Sequence, residues 1–127
     1  MKPPIEHIRL SRHAKDQLVR MKRDTGILNW NILCRWAFLL SLTDNKRPRD
    51  VDIRTDSNLE MSWKVFSGDY QALLASLFYL RCQRDGITSE QEQTLEFRKH
   101  LGRGIGRLCA LKIRPDIVHI TELAVNQ

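Results

Sequence analysis

The chain has 127 residues, of which 42% are hydrophobic and 28% charged, with a net charge of +6. That composition suits one domain with a real core and excludes a disordered chain. The longest unbroken apolar run, Trp36 to Leu40, is too short to cross a bilayer, and the start MKPPIEH lacks the apolar stretch of a signal peptide, so a single cytoplasmic domain over residues 1–127 is expected.

In IEHIRLS, Ile8 and Leu10 alternate with His7, Arg9 and Ser11, which predicts a short half-buried strand. Ser11 then suits a helix N-cap and Gly26 the left-handed position after the last turn, so the first helix is predicted over Arg12 to Thr25. At about 100° per residue, Ala14, Leu18 and Met21 share one arc, and Arg12, Lys15, Lys22 and Arg23 share another. One face packs and the other is cationic.

Asn29 is expected to cap a second helix, WNILCRWAFLLSLTD, apolar nearly all round apart from Arg35. Such a helix belongs in the domain centre or in a subunit interface, so an oligomer is expected. Pro48 and dense charge then break the periodicity; Val51 and Ile53 suggest an extended piece, and WKVFSGD reads as a turn leading to Asp69 as the next N-cap. Trp63 and Phe66 are expected to pin this connection to the core. A third helix, YQALLASLFYLRCQRDG, ends at Gly86. The fourth starts at a capping box, Ser89 with Glu92, and carries a core stripe of Phe97, Leu101, Ile105 and Leu108. Pro115 helps end it, and DIVHITELA reads as a last short element. The fold class is therefore mainly α, a compact multi-helix single domain with a short N-terminal strand.

The positive charge is concentrated in two segments. Residues 1–24 hold seven Lys/Arg against three acids, and residues 95–115 hold six against one. If the two meet, they form the footprint of a polyanion binder. Lys99, Arg103 and Arg107 recur every four residues beside the core stripe, interleaved with Gly102, Gly104 and Gly106. GRGIG has neither the spacing nor the preceding strand of a dinucleotide fingerprint. Its glycines suit close helix packing or, alternatively, close approach of a phosphate backbone.

Chemistry is poorly supported. His7, His13, His100 and His119 show no metal-ligand pairing; His13 and His100 read as phosphate contacts or surface residues. Asp50, Asp52 and Asp56 read as a solvated charged loop rather than a magnesium site. Cys34, Cys82 and Cys109 read as three buried thiols, since an odd count without CxxC spacing fits neither disulfides nor zinc. No catalytic residue, metal or cofactor is assigned.

IEHIRLSRHAKDQLVRMKRDTGI, NWNILCRWAFLLSL, SWKVFSGDY and FRKHLGRGIGRL, in that order, resemble the DndE family of the DNA phosphorothioation (Dnd) system over nearly the whole chain. The resemblance implies a mainly helical, tetrameric protein associated with nicked double-stranded DNA. It implies that companion Dnd proteins, a cysteine desulfurase and an iron–sulfur protein among them, perform the sulfur chemistry. The strand–helix–helix start also looks like a ribbon–helix–helix unit, which would project His7 and Arg9 toward a major groove. Expected phosphate contacts are Arg9, Arg12, Lys15, Lys22, Arg23, Lys99, Arg103 and Arg107. The expected function is a DNA-binding component that docks duplex, preferentially nicked, through a basic face. The alternatives are a DNA nickase and a scaffold that binds companion Dnd proteins without DNA.

Overall fold

The computed structural model describes residues 1–111. Pro115, the DIVHITELA segment and His119 lie outside them, as do the last two cations of the second basic segment.

The chain opens with strand β1 (His7–Arg9), which buries Ile8 and exposes its neighbours. Helix α1 (Arg12–Thr25) follows with both expected caps. The Ser11 hydroxyl accepts from the Ala14 amide at 3.0 Å, and Gly26, at φ +77°, donates its N–H to Lys22 O. Its buried face is Ala14, Leu18 and Met21, joined by Thr25.

Helix α2 (Trp30–Leu42) has Asn29 at its N-cap, but without the expected side-chain bond. The extended backbone of Asn29 alone starts the helix. Ile32, Leu33, Cys34, Ala37, Phe38 and Ser41 are buried, while Trp36 and Leu40 are half-buried and Leu39 is exposed; its Arg35 is buried too, donating from Nε to Phe66 O at 2.7 Å.

The long connection departs most from the sequence reading. Val51 and Ile53 are not in a strand; the strand is β2 (Glu60–Ser62), antiparallel to β1, with Ile8 opposite Met61 and Arg9 opposite Glu60. The first strand thus pairs within its own chain, and Arg9 Nη2 meets Glu60 Oε2 at 3.0 Å. WKVFSGD is not a turn. It forms helix α3 (Trp63–Ser67), capped by the Ser62 hydroxyl, and a 3-10 turn over Gly68–Tyr70. That turn leads straight into helix α4 (Gln71–Asp85), so the N-cap position falls on Tyr70 instead of Asp69. Gly86, at φ +76°, ends α4, and Ser89 caps the long α5 (Glu90–Ala110) as expected.

Four phenylalanines, one from each of α2, α3, α4 and α5, meet at the centre. Phe38 lies 4.8 Å from Phe97 and 5.7 Å from Phe66, and Phe78 lies 5.6 Å from Phe97, centroid to centroid. All four are fully buried, which accounts for every phenylalanine of the chain. Phe66, with Trp63, anchors the long connection. The stripe on α5 packs as expected, and α1 and α2 both lie against α5. Among the described residues, no helix is long and apolar enough to cross a membrane.

Candidate nucleic-acid interface

The site begins at the C-terminus of α2. The Thr43 and Asp44 amides close back on the carbonyls of Leu39, Leu40 and Ser41, and the helix itself has no basic residue in its final turn. Three arginines from elsewhere add donors to this end and to the turn that follows it. Arg81 bonds Leu42 O at 3.0 Å and Lys46 O at 2.8 Å; Arg84 bonds Asn45 O at 2.6 Å. Arg103 bonds the Ser41 hydroxyl at 2.9 Å, and Ser41 O and Lys46 O at 2.8 Å each. Asp44 in this turn receives the Lys46 amide and Arg107 Nη1, both of which hold its carboxyl down, to about 2. The turn is thereby fixed, and with it the start of the Lys46–Arg54 stretch.

That stretch, the junction of β1 with α1, and the middle of α5 enclose a groove of about 840 Å³. Arg9 contributes from the first segment. Lys46, Arg47, Arg49 and Arg54 come from the connection, and Arg98, Lys99, Arg103 and Arg107 from α5. Nine cations thus face three acids, Asp44, Asp52 and Asp56. Arg47 makes a two-pronged pair with the buried Glu96 at 2.9 Å, and Lys99 pairs with Asp50, which lowers the Asp50 pKa. Lys46, Arg49 and Arg98 have no side-chain hydrogen bond or ion pair among the described residues, and the Nε of Arg98 is buried without a partner.

The eight expected contact residues therefore divide. Arg9, Lys99, Arg103 and Arg107 line the groove; Arg12, Lys15, Lys22 and Arg23 do not. Arg12 and Lys15 lie beside the later part of the connection, where the Arg12 amide donates to Asp56 at 2.8 Å and Lys15 to Asn58. Lys22 sits 3.8 Å over the Trp30 ring, and Arg23 faces Asp24. Arg103 places three of its donors internally, and burial lowers its pKa. Lys46, Arg47, Arg49, Arg54 and Arg98 escaped the sequence reading. The run KRPR was visible, but the surrounding acids made the connection look like solvated loop.

The glycines divide too. A Cβ on Gly104 would stand 1.8 Å from Ala37 O, so this residue lets α5 close on α2. Gly102 opens toward Ile53 at 3.7 Å and Gly106 toward Gln17 at 3.9 Å, both ordinary contacts.

His13 lines the groove. His100 does not sit on the surface as expected: it is fully buried against Phe38 and Phe78, with Nδ1 2.8 Å from the Ser41 hydroxyl. Burial first, then Arg103 and Arg81, push its pKa down to about 4. Among the described residues, Asp85, Glu96 and His100 are the one trio close enough to share a metal ion. Arg81 and Arg47 already neutralise its two carboxylates. Cys34 and Cys82 are buried, which raises their thiols to about 12, whereas Cys109 is only half-buried.

A family model described as "DNA sulphur modification protein DndE" matches residues 7–113. No curated protein matches the chain. A crystal structure of DndE from Escherichia coli B7A, described as involved in DNA phosphorothioation modification, superposes with a TM-score of 0.69 at 23% identity, covering 82% of this chain and 96% of that one. A crystal structure of a DndE G21/24K mutant gives 0.62 at 18% identity, covering 81% and 97%.

Proposed function

The chain belongs to the DndE family of DNA sulphur modification proteins, and from that premise we propose that it is the DNA-docking component of the phosphorothioation system. The observation that carries this is the groove in which nine Lys/Arg from three separate segments converge on three acids. Charge of that density with several cations unpaired is matched by a polyphosphate.

Docking is electrostatic. Arg9, Lys99, Arg107 and the connection cations form the bed, and Arg12, Lys15, Lys22 and Arg23 form an outer row. Such contacts position a duplex without reading its sequence. Self-association into a tetramer repeats the bed, so several weak sites act together. An exposed apolar face on α4, Leu73, Leu77 and Leu80, supports that part of the proposal. A nick adds local freedom in the backbone, which favours nicked duplex. Companion Dnd proteins supply the sulfur chemistry.

The test is fluorescence anisotropy on intact and nicked duplex with an Arg49→Ala/Arg54→Ala/Arg107→Ala variant. A loss of at least about tenfold is expected from three phosphate contacts, with the helical spectrum unchanged. The outer-row variant Arg12→Ala/Lys15→Ala/Lys22→Ala is expected to lose less. Wild-type affinity in the groove variant would remove the assignment. His13 in the groove supports one second reading, a DNA nickase. New nicks made by purified protein and abolished by His13→Ala would replace docking with catalysis. Co-purification with a companion Dnd protein at high salt, without DNA binding, would favour the scaffold.

A further inference from the structure

We propose that the groove holds an unpaired nucleotide, its phosphate on the cations and its base over an aliphatic lining with Asp52 at the base edge; this rests on the DNA-docking reading of the same groove. A surface that only tracks phosphates needs donors and nothing else. This groove has more. Val51, 52% exposed, and the half-buried Ile53 share its lining with the arginines, and the buried Ile8, Leu10 and Leu101 lie behind them. Exposed aliphatic surface within a cationic groove has a use when the ligand brings an apolar face of its own, as a nucleobase does.

Two polar groups point the same way. Arg98 lines the groove with no side-chain hydrogen bond or ion pair among the described residues, which leaves its guanidinium to a ligand phosphate. Asp52 lines the groove with no hydrogen bond or ion pair among the described residues, unlike Asp44, which Arg107 engages, and Asp56, which takes the Arg12 amide. A carboxylate opposes phosphate binding, but it accepts from an exocyclic amine of cytosine, adenine or guanine. In a duplex one N–H of each amine is paired and only the other faces a groove; in an unpaired nucleotide both are available and the whole base edge can turn to the carboxylate.

Size agrees. About 840 Å³ is the volume of a small-molecule pocket. A nucleotide is small enough to enter it. Gly102 on α5 keeps the space open, since a larger side chain there would grow into the lining beside Ile53.

The test compares three labelled DNAs on the full chain: a blunt duplex, the same duplex with two unpaired dC nucleotides at one 3′ end, and the same with two unpaired dT. The dC-tailed duplex is expected to bind about tenfold tighter than the blunt one, as one seated base contributes, and tighter than the dT-tailed one. Gly102→Trp is expected to erase the gain from the tail, bringing the ratio of tailed to blunt affinity to one. Val51→Ser, at an exposed position, removes apolar surface without adding charge and reads the same loss should the tryptophan disturb folding. Asp52→Asn is expected to erase the preference for dC over dT without weakening blunt binding, because it removes a negative charge. Equal affinity for tailed and blunt duplex overturns the inference while leaving DNA docking intact. So does displacement of the tail by inorganic phosphate as readily as by the dinucleotide pdCpdC. Absence of binding to all three DNAs overturns both readings.

Discussion

Burial behind Phe38 and Phe78 favours the neutral imidazole of His100 and holds its pKa at about 4, against 6.5 for a free side chain. Between those values the unfolded chain binds a proton that the folded one refuses. Stability is therefore whole above pH 6.5 and falls as the pH drops toward 4, by on the order of 3 kcal/mol over the full window. Urea unfolding from pH 7.5 to 4.5 should show the midpoint falling, and His100→Gln should flatten that slope; an unchanged slope would mean that other groups set it. A separate loss below pH 3.8 is expected from Asp44, whose carboxyl is held at about 2. Neither residue's role was legible in the sequence. Helical spacing placed His100 and Arg103 beside the cationic stripe, but what captures both is Ser41, 59 and 62 positions away. Arg107, with no such distant hydroxyl to take it inward, stays at the groove as its spacing suggested.

At the scale of elements, the contact of α2 with α5 depends on one missing side chain. Gly104→Ala would drive a methyl into the Ala37 carbonyl, and a loss of about 3 kcal/mol or more is expected, beyond ordinary overpacking because backbone rather than side chain must yield. Gly102→Ala and Gly106→Ala meet only side-chain tips and should each gain up to about 1 kcal/mol in helix propensity. Thermal melts of the three variants distinguish packing from the phosphate-approach alternative, under which all three would leave stability alike and weaken DNA binding. The limits of α1 were readable to the residue because Ser11 and Gly26 act locally. Strand β2 was not, because its only reason to be extended is β1, some fifty residues earlier. Helix α3 escaped for a related reason: five residues are too few to show a period, and burial of Trp63 and Phe66 against the other phenylalanines holds it.

For the whole molecule, charge and shape combine. The two basic ends do come together, as α1 packs on α5, but of the first one's Lys/Arg only Arg9 reaches the groove, which is completed by a third segment that reads in the sequence as a solvated charged loop. Only the fold, through the arginine clamp on the α2 C-terminus, turns that loop into a groove wall. On another face, Leu73, Leu77 and Leu80 stand 55%, 38% and 63% exposed at successive turns of α4. A stripe of that kind is costly to leave in water. If it is where copies meet, Leu77→Glu/Leu80→Glu should give a monomer by light scattering with an unchanged far-UV spectrum. It should also weaken DNA binding through lost avidity rather than lost contacts. An oligomer of undiminished size would move the interface elsewhere.

The most direct measurement is the affinity of the wild-type protein for a duplex across a salt series. Log K is expected to fall linearly with log salt, with a slope of about −4 or steeper, which corresponds to four or more phosphates neutralised at about 0.9 each. The Arg49→Ala/Arg54→Ala/Arg107→Ala variant should show a shallower slope. A slope near zero, or affinity too weak to measure at low salt, would contradict a DNA-docking groove and leave its cations to a protein partner.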